Sequence, residues 1–463
     1  MTSQPGSDRP RPRVVIVGAG FAGLTAARRI ARLPVQVTVL DRRNHHIFQP
    51  LLYQVATAGL SPGEIAAPIR SILSSHSNVE VLLDEVIDFN LEQKQVITRE
   101  QIFEYDFLVI ASGATHAYFG HDEWEPLAPG LKTIEDALEI RRRVLLAFEL
   151  AERRKEEQSA TNSTTDNNDD GASASPLQFV VIGGGPTGVE LAGTLAEIAR
   201  HALNGEFRNI DPRRSRILLI EGGPRILPAY SDELSRKAEQ QLRHLGVEVR
   251  TSQMVTGVEP GAVWMGNQRI SASVTLWAAG VAASPLGRKL GVAVDRAGRV
   301  LVRPDLSIPD YKDVFVIGDL AALHDENGKL LPGVAPVAIQ QGDWVAKAIA
   351  RDLEHQPRRD FHYFDKGSLA TIGRAAAVAQ IGKFELSGYF AWLAWLFIHI
   401  LFLIGFRNRL LVMIQWAWSY LTYERGARLI TGSDELPGWT ETSLQPRKGD
   451  DAEPPISSGR RSA

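Results

Sequence analysis

Residues 14–41, VVIVGAGFAGLTAARRIARLPVQVTVLD, constrain the fold more than any other stretch. Val14–Val17 is a short β-branched run that reads as a buried strand. Gly18-x-Gly20-x-x-Gly23 follows at once. A helical stretch with Ala26, Ala27 and Ile30 comes next, then a second strand, Val35–Leu40, closed by Asp41. Gly18 permits the tight turn, Gly20 lets the backbone approach a pyrophosphate, and Gly23 lets the helix pack closely on the sheet. The helix N-terminus offers unpaired N–H groups to the anion, and Asp41 can accept from a ribose hydroxyl. The unit predicts a bound dinucleotide without saying which.

The pattern then returns. Phe179–Ile182 reads as a strand, Gly183-x-Gly185-x-x-Gly188 as the turn, Val189–Ala199 as the helix and Arg216–Ile220 as the next strand. Glu221 stands where Asp41 stood. Two complete units predict two dinucleotides, and an α/β fold with two Rossmann-like dinucleotide-binding domains. Three more strands run into backbone-access turns: Tyr105–Ile110 into Ala111-Ser112-Gly113, Val274–Trp277 into Ala278-Ala279-Gly280, and Val314–Ile317 into Gly318-Asp319. Val79–Leu83, Val86–Phe89 and Lys94–Thr98 alternate like strands, and residues 132–155 read as a long helix. Residues 44–70, with Pro50, Pro62 and Pro68, read as loop, and residues 331–350 as a Pro-started loop followed by a helix. Residues 156–176, EEQSATNSTTDNNDDGASASP, are polar and low in complexity and read as a disordered loop.

Composition narrows the chemistry. A length of 463 residues predicts two or three domains. A formal net charge of −3 makes no case for a nucleic-acid partner. There is no cysteine, which excludes a disulfide framework, a thiolate metal site and a redox-active dithiol. No metal site is expected: His45 and His46 lack further ligands at suitable spacing and read as polar lining or surface. The N-terminus, MTSQPGSDRPRPR, has no apolar core, so no secretory leader is expected.

Residues 387–423 differ from all before them: SGYFAWLAWLFIHILFLIGFRNRLLVMIQWAWSYLTY. No acid occurs here, and Arg407 and Arg409 are the only strong bases. Tyr389–Phe406 is apolar but for His399, and a shorter run starts at Leu410; the GFRNR between them predicts a hairpin. The length is marginal for a span, and tryptophan and tyrosine flanked by arginine suit the membrane interface. Monotopic docking on one leaflet therefore fits better than a spanning hairpin or a buried helix pair. The polar tail after Gly432 reads as disordered.

These motifs together resemble the type II (non-proton-pumping) NADH:quinone oxidoreductases, within the two-dinucleotide flavoprotein reductase superfamily. The resemblance spans about residues 13–430. It is carried by VVIVGAGFAGL, FQPLLYQVATAGLSPGEIA, LVIASGAT, VVIGGGPTGVELAG, TLWAAGV, VFVIGDLA, PGVAPVAIQQG and KGSLATIGR. It implies non-covalent FAD in the first unit and NADH, as substrate, in the second. Gly18, Ala19, Gly20, Phe21, Ala22 and Gly23 would cradle the FAD pyrophosphate, and Asp41 the adenosine ribose. Asp319, beside Gly318, would meet the ribitol or pyrophosphate, and Ala111-Ser112-Gly113 matches an Ala-Thr-Gly turn with Ser for Thr. Gly183, Gly185 and Gly188 would hold the NADH pyrophosphate, with Gly280 at a neighbouring turn. Glu221 accepts from a free 2′-hydroxyl and repels a 2′-phosphate, which favours NADH over NADPH, though Arg225 lies close in sequence.

Catalytic roles also come from the resemblance. Glu190 matches an acid near nicotinamide and flavin; the plainer alternative is an acid serving the helix dipole. The family places glutamines four apart at the quinone; the second falls on Gln340, while the first falls on Pro336, leaving Gln341 or Lys383 as stand-ins. An amide at a helix start can instead cap backbone groups. Where disulfide reductases of the superfamily carry a cysteine pair, Phe48–Gln54 has no sulfur, so electrons must leave to a diffusible acceptor. The expected partners are a membrane quinone and a lipid surface, with a homodimer possible, and the expected place is the cytoplasmic face of a bacterial inner membrane. The expected units are residues 13–125 and 296–385 (FAD), 126–295 (NADH), 386–430 (membrane anchor) and 431–463 (tail). Two other readings stand: an NADPH-dependent reductase of a specialised naphthoquinone or soluble acceptor, and a non-catalytic redox sensor signalling through the 156–176 loop.

Overall fold

The computed structural model describes residues 11–162, 177–403, 406–422 and 426–432. Strand β1 (Arg13–Val17) leads through helix α1 (Phe21–Ile30) to β2 (Gln36–Asp41), followed by β3 (Val79–Leu83) and β4 (Phe107–Ile110). These strands pair in parallel, in the order β3-β2-β1-β4. Successive residues of β1 enter different cores. Val14 and Ile16 pack on the side of α1, while Val15 and Val17 pack on the other face with Leu40, Leu108 and Ile110. A sheet covered on both faces needs such uniformly apolar strands.

Helix α2 (Ile134–Asn162) crosses to the second unit: β5 (Gln178–Ile182), α3 (Pro186–Glu197), β6 (Arg216–Ile220), β7 (Val247–Arg250) and β8 (Val274–Trp277). Its parallel sheet runs β7-β6-β5-β8. The chain then returns. Strand β9 (Tyr311–Val316) joins β4 in parallel and extends the first sheet, and α4 (Ala335–Leu353) packs on α1. An antiparallel sheet of β10 (Ser368–Gly373), β11 (Ala376–Ile381) and β12 (Phe384–Ser387) follows, then helices α5 (Tyr389–Phe402) and α6 (Phe406–Thr422).

The predicted strands fall within two residues of their observed bounds, except that β9 begins at Tyr311, three residues before the expected Val314, and three segments differ. Residues 44–70 are not plain loop: helices run over Leu52–Ala56 and Pro62–Ile65, and a 3-10 turn over Gln49–Leu51. Pro50 and Pro62 sit at helix starts, where the missing N–H costs nothing, and Ser61 and Glu64 form a capping box. Helix α2 continues through residue 162, so the beginning of the expected polar loop is helical. Its Glu, Gln and Ala residues are polar or small but good helix formers. Residues 163–176, and the tail beyond 432, lie outside the described residues. The apolar run from Tyr389 yields a helix only to Phe402, and Arg407 and Arg409 lie inside α6 rather than in the connection.

Candidate active site

Strands β1, β4 and β9 are neighbours, with Val17 beside Ile110 and Ile110 beside Val316. Their carboxyl ends therefore bring the turns at Gly18, Ser112-Gly113 and Gly318-Asp319 together. Gly18 has φ +92°, and a Cβ there would lie 2.5 Å from the Ala111 carbonyl oxygen. A Cβ on Gly23 would lie 1.8 Å from the Gly18 oxygen, so only glycine lets α1 meet the turn. No side chain caps α1, which leaves its first N–H groups for a ligand. Asp41 Oδ2 accepts from Ala19 N at 2.7 Å and Oδ1 from Arg43 N at 2.8 Å. Ser112 Oγ is buried with no protein partner. Asp319 faces Lys132 Nζ at 3.9 Å, a cation that no motif or spacing singled out. An open helix N-terminus, an orphaned hydroxyl and two carboxylates at one sheet edge can hold a dinucleotide.

The second unit repeats the geometry. A Cβ on Gly188 would lie 1.8 Å from the Gly183 oxygen, and Gly183 has φ +106°. Glu221 accepts from Gly184 N and from Gly223 N, both at 2.6 Å. Arg225 is turned to other partners: Asp232 at 2.8 Å, and the carbonyls of Tyr230 and Pro228. Gly280 lies against the ring of exposed Phe119.

Glu190 stands in the first turns of α3. Residue 190 keeps intermediate exposure, but its carboxyl is packed round by protein. Burial pushes its pKa well above the usual carboxylate range, partly opposed by a hydrogen bond from the Thr371 backbone. Strand β10 comes this close because position 193 is glycine: a Cβ there would lie 1.7 Å from the Ile372 oxygen. The raised pKa fixes a sign. The fold favours the protonated acid, so stability is complete below the ordinary carboxylate pKa and falls as pH rises through the raised one. Glu190→Gln, which mimics the protonated form, should therefore gain melting temperature over the parent, and the gap should widen from about pH 5 to about pH 9. A gap independent of pH counts against a buried titrating acid.

The glutamines of α4 are already engaged. Gln340 bonds both polar groups of the Phe364 backbone, Nε2 to O at 2.9 Å and Oε1 from N at 3.0 Å. Gln341 is 1% exposed, and its Oε1 accepts from Gly318 N at 2.6 Å. Pro336 occupies the first turn of α4, and Lys383 sits in the turn between β11 and β12.

Helices α5 and α6 have two faces. Ala391, Trp395, Leu403 and Val412 are buried against the body. Trp416 Nε1 donates to Gln54 Oε1 at 2.7 Å, and the Gln415 amide donates to Glu64. Phe390 (72% exposed), Phe397 (66%), Trp418 (58%) and Leu421 (77%) point away from it. A cavity of about 110 Å³ lies between this hairpin and α3, lined by Tyr53, Gln54, Thr194, Trp392, Trp395 and Trp416. Among the described residues, no helix is long and apolar enough to cross a membrane.

Comparison with known proteins agrees with this architecture. Residues 12–342 match the pyridine nucleotide-disulphide oxidoreductase family, and residues 365–423 match the NDH2 C-terminal domain. The chain is 44% identical over 437 residues to the type II NADH:quinone oxidoreductase Ndh of Mycobacterium tuberculosis, covering 91% of this chain and 90% of the relative. It is 42% identical over 448 residues to NdhA of the same organism, covering 93% and 92%. The fold is similar to that of NDH2 from Plasmodium falciparum solved with NADH, with a TM-score of 0.79 at 21% identity over 91% of this chain and 100% of the other. On the identity to these relatives and the two matching family models, the chain belongs to the type II NADH:quinone oxidoreductases, enzymes built on the pyridine nucleotide-disulphide oxidoreductase fold.

Proposed function

We propose that this enzyme holds FAD non-covalently in the first cradle, takes NADH in the second and reduces a membrane quinone without pumping protons. The observation that carries the reading is the doubled cradle, in which the second acid, Glu221, closes on its own loop while Arg225 is tied to Asp232. That leaves a carboxylate, and no free guanidinium, where a 2′-phosphate would sit, which favours NADH. The dinucleotide of the first cradle is then the redox cofactor. FAD, when bound, supplies the two-electron chemistry that no side chain of this cysteine-free chain offers.

The protein binds, orients and supplies protons. Gly18–Gly23 and the start of α1 receive one pyrophosphate, and Gly183–Gly188 and the start of α3 the other. Asp41 and Glu221 fix the two loops through their middle N–H groups and keep oxygen lone pairs for ribose hydroxyls. Asp319 and Lys132 set the charge along the first cradle. Gln341 holds the Gly318-Asp319 turn in place, and Gln340 holds the chain at Phe364. Reducing a quinone with NADH consumes one proton from solution, and burial favours the protonated form of the Glu190 carboxyl, beside the second cradle. The aromatic cavity under the hairpin offers a quinone ring an approach from the membrane side.

On this reading residues 13–125 and 296–385 form the FAD unit, residues 126–295 the NADH unit and residues 386–430 the anchor. The exposed aromatics of α5 and α6 lie in one leaflet, on the cytoplasmic face of a bacterial inner membrane. The test is direct. Purified protein should be yellow, NADH should bleach it faster than NADPH does, and a short-chain quinone should restore the colour. Bleached protein that quinone does not reoxidise overturns the proposal.

A further inference from the structure

The two glycine loops are held alike, with one difference. In each, an acid accepts the N–H of the middle residue: Asp41 from Ala19 at 2.7 Å, Glu221 from Gly184 at 2.6 Å. In each, the carbonyl of the same residue is also bonded. In the second loop a backbone group does this: Leu227 N donates to Gly184 O at 2.7 Å, from a residue held at φ +48°. In the first loop a side chain does it: His46 Nδ1 lies 2.9 Å from Ala19 O.

His46 is built into this position. It is 3% exposed, lies on a short strand paired to Ala66–Pro68, and meets the ring of Phe21 edge-on at 5.1 Å. The pair His45-His46 is therefore not a surface feature at its second member. A carbonyl only accepts, so Nδ1 carries the proton. Burial holds the ring below its ordinary pKa and thus neutral, and Nε2 is buried with no protein partner. The ring is a one-proton donor committed to Ala19.

We propose that His46 is a positioning residue for the cofactor pyrophosphate: by donating to the Ala19 carbonyl it fixes the Ala19–Gly20 peptide with its N–H toward the anion. The peptide is planar and trans, so its C=O and N–H point opposite ways. Anchoring the oxygen on His46 aims the Gly20 N–H away from it, at the start of α1. A rotated peptide would set a carbonyl oxygen against phosphate. Leu227 does the same work for the second loop with its backbone N–H. This inference rests on the first cradle being the FAD site.

The test uses full-length protein stripped of flavin and titrated with FAD, read by flavin fluorescence. His46→Asn keeps an N–H donor near the Nδ1 position and should bind within about threefold of the parent. His46→Phe removes the donor, and His46→Gln moves it one bond further out. Both should weaken FAD binding roughly tenfold or more. The His46→Asn apoprotein should melt with the parent apoprotein, and the other two should lose no more than the few degrees that one buried hydrogen bond is worth. Tight FAD binding by His46→Phe overturns the inference, as does an equal loss in all three variants with lowered apo stability, which marks a merely structural residue. If the parent apoprotein takes up no FAD, the reading of the first cradle fails instead.

Discussion

Gly20→Asp should give a folded, colourless protein, and Gly185→Asp a yellow protein that NADH no longer bleaches. Both positions are the residue before a helix, with ordinary extended backbone angles: φ −68° and ψ −163° at Gly20, φ −70° and ψ 179° at Gly185. A Cβ built on either meets nothing within 4 Å. A side chain there costs the empty fold little, unlike one at Gly23 or Gly188. It occupies the space a pyrophosphate needs and adds a carboxylate. Two like charges about 4 Å apart at an effective dielectric near 20 repel by about 4 kcal/mol, which already weakens binding by more than two orders of magnitude. Flavin absorbance per protein and NADH bleaching, with melting temperature as a folding control, read both variants. The reverse pattern, with Gly185→Asp losing the flavin, exchanges the two assignments.

Replacing Phe390, Phe397, Trp418 and Leu421 together by glutamine should move the protein from the membrane fraction to the supernatant. These four side chains are on the outward face of the hairpin. Full burial of such a side chain is worth about 1.5–3 kcal/mol. Shallow insertion at ~1 kcal/mol each still changes partition about a thousandfold. Turnover of a water-soluble short-chain quinone should persist, because Trp395, Val412, Trp416 and Gln415 keep the inner face in place. Deleting residues 387–463 is a poorer test, since it also strips that inner face from the body. Unchanged membrane attachment of the fourfold variant refutes the anchor.

Most of the fold was legible because the parallel sheets announce themselves locally. Val14–Val17 and Phe179–Ile182 are runs that only a doubly covered strand tolerates, and each is followed by glycines that only a close helix approach requires. The segment after Asp41 was not legible. Its prolines read as breakers, yet Pro50 and Pro62 begin short helices. A proline ends one element or starts another, and local composition does not separate the two. The polar stretch after residue 155 misled for a related reason: helix α2 carries its first residues along, since a helix once nucleated extends through any good former.

The candidate site divides along the same line. The sequence alone determined the two cradles, the two acids that close them, the absence of any thiol and the apolar C-terminal hairpin. Each of these is a contiguous pattern, and its physical cause acts over a few residues. Tertiary structure alone decided what the isolated polar residues do. Gln341 is 23 residues from Gly318 yet holds its N–H, Lys132 reaches Asp319 from the approach to α2, and Gln415 and Trp416 lock the hairpin to Glu64 and Gln54. His46 grips Ala19 across 27 residues and does with a side chain what Leu227 does with its backbone. A hydrogen bond depends on where two groups meet in space. Along the chain these residues carry no periodicity, and only the packing of β1, β4 and β9 with α1 and α4 brings Gln341, Lys132 and His46 to one sheet edge.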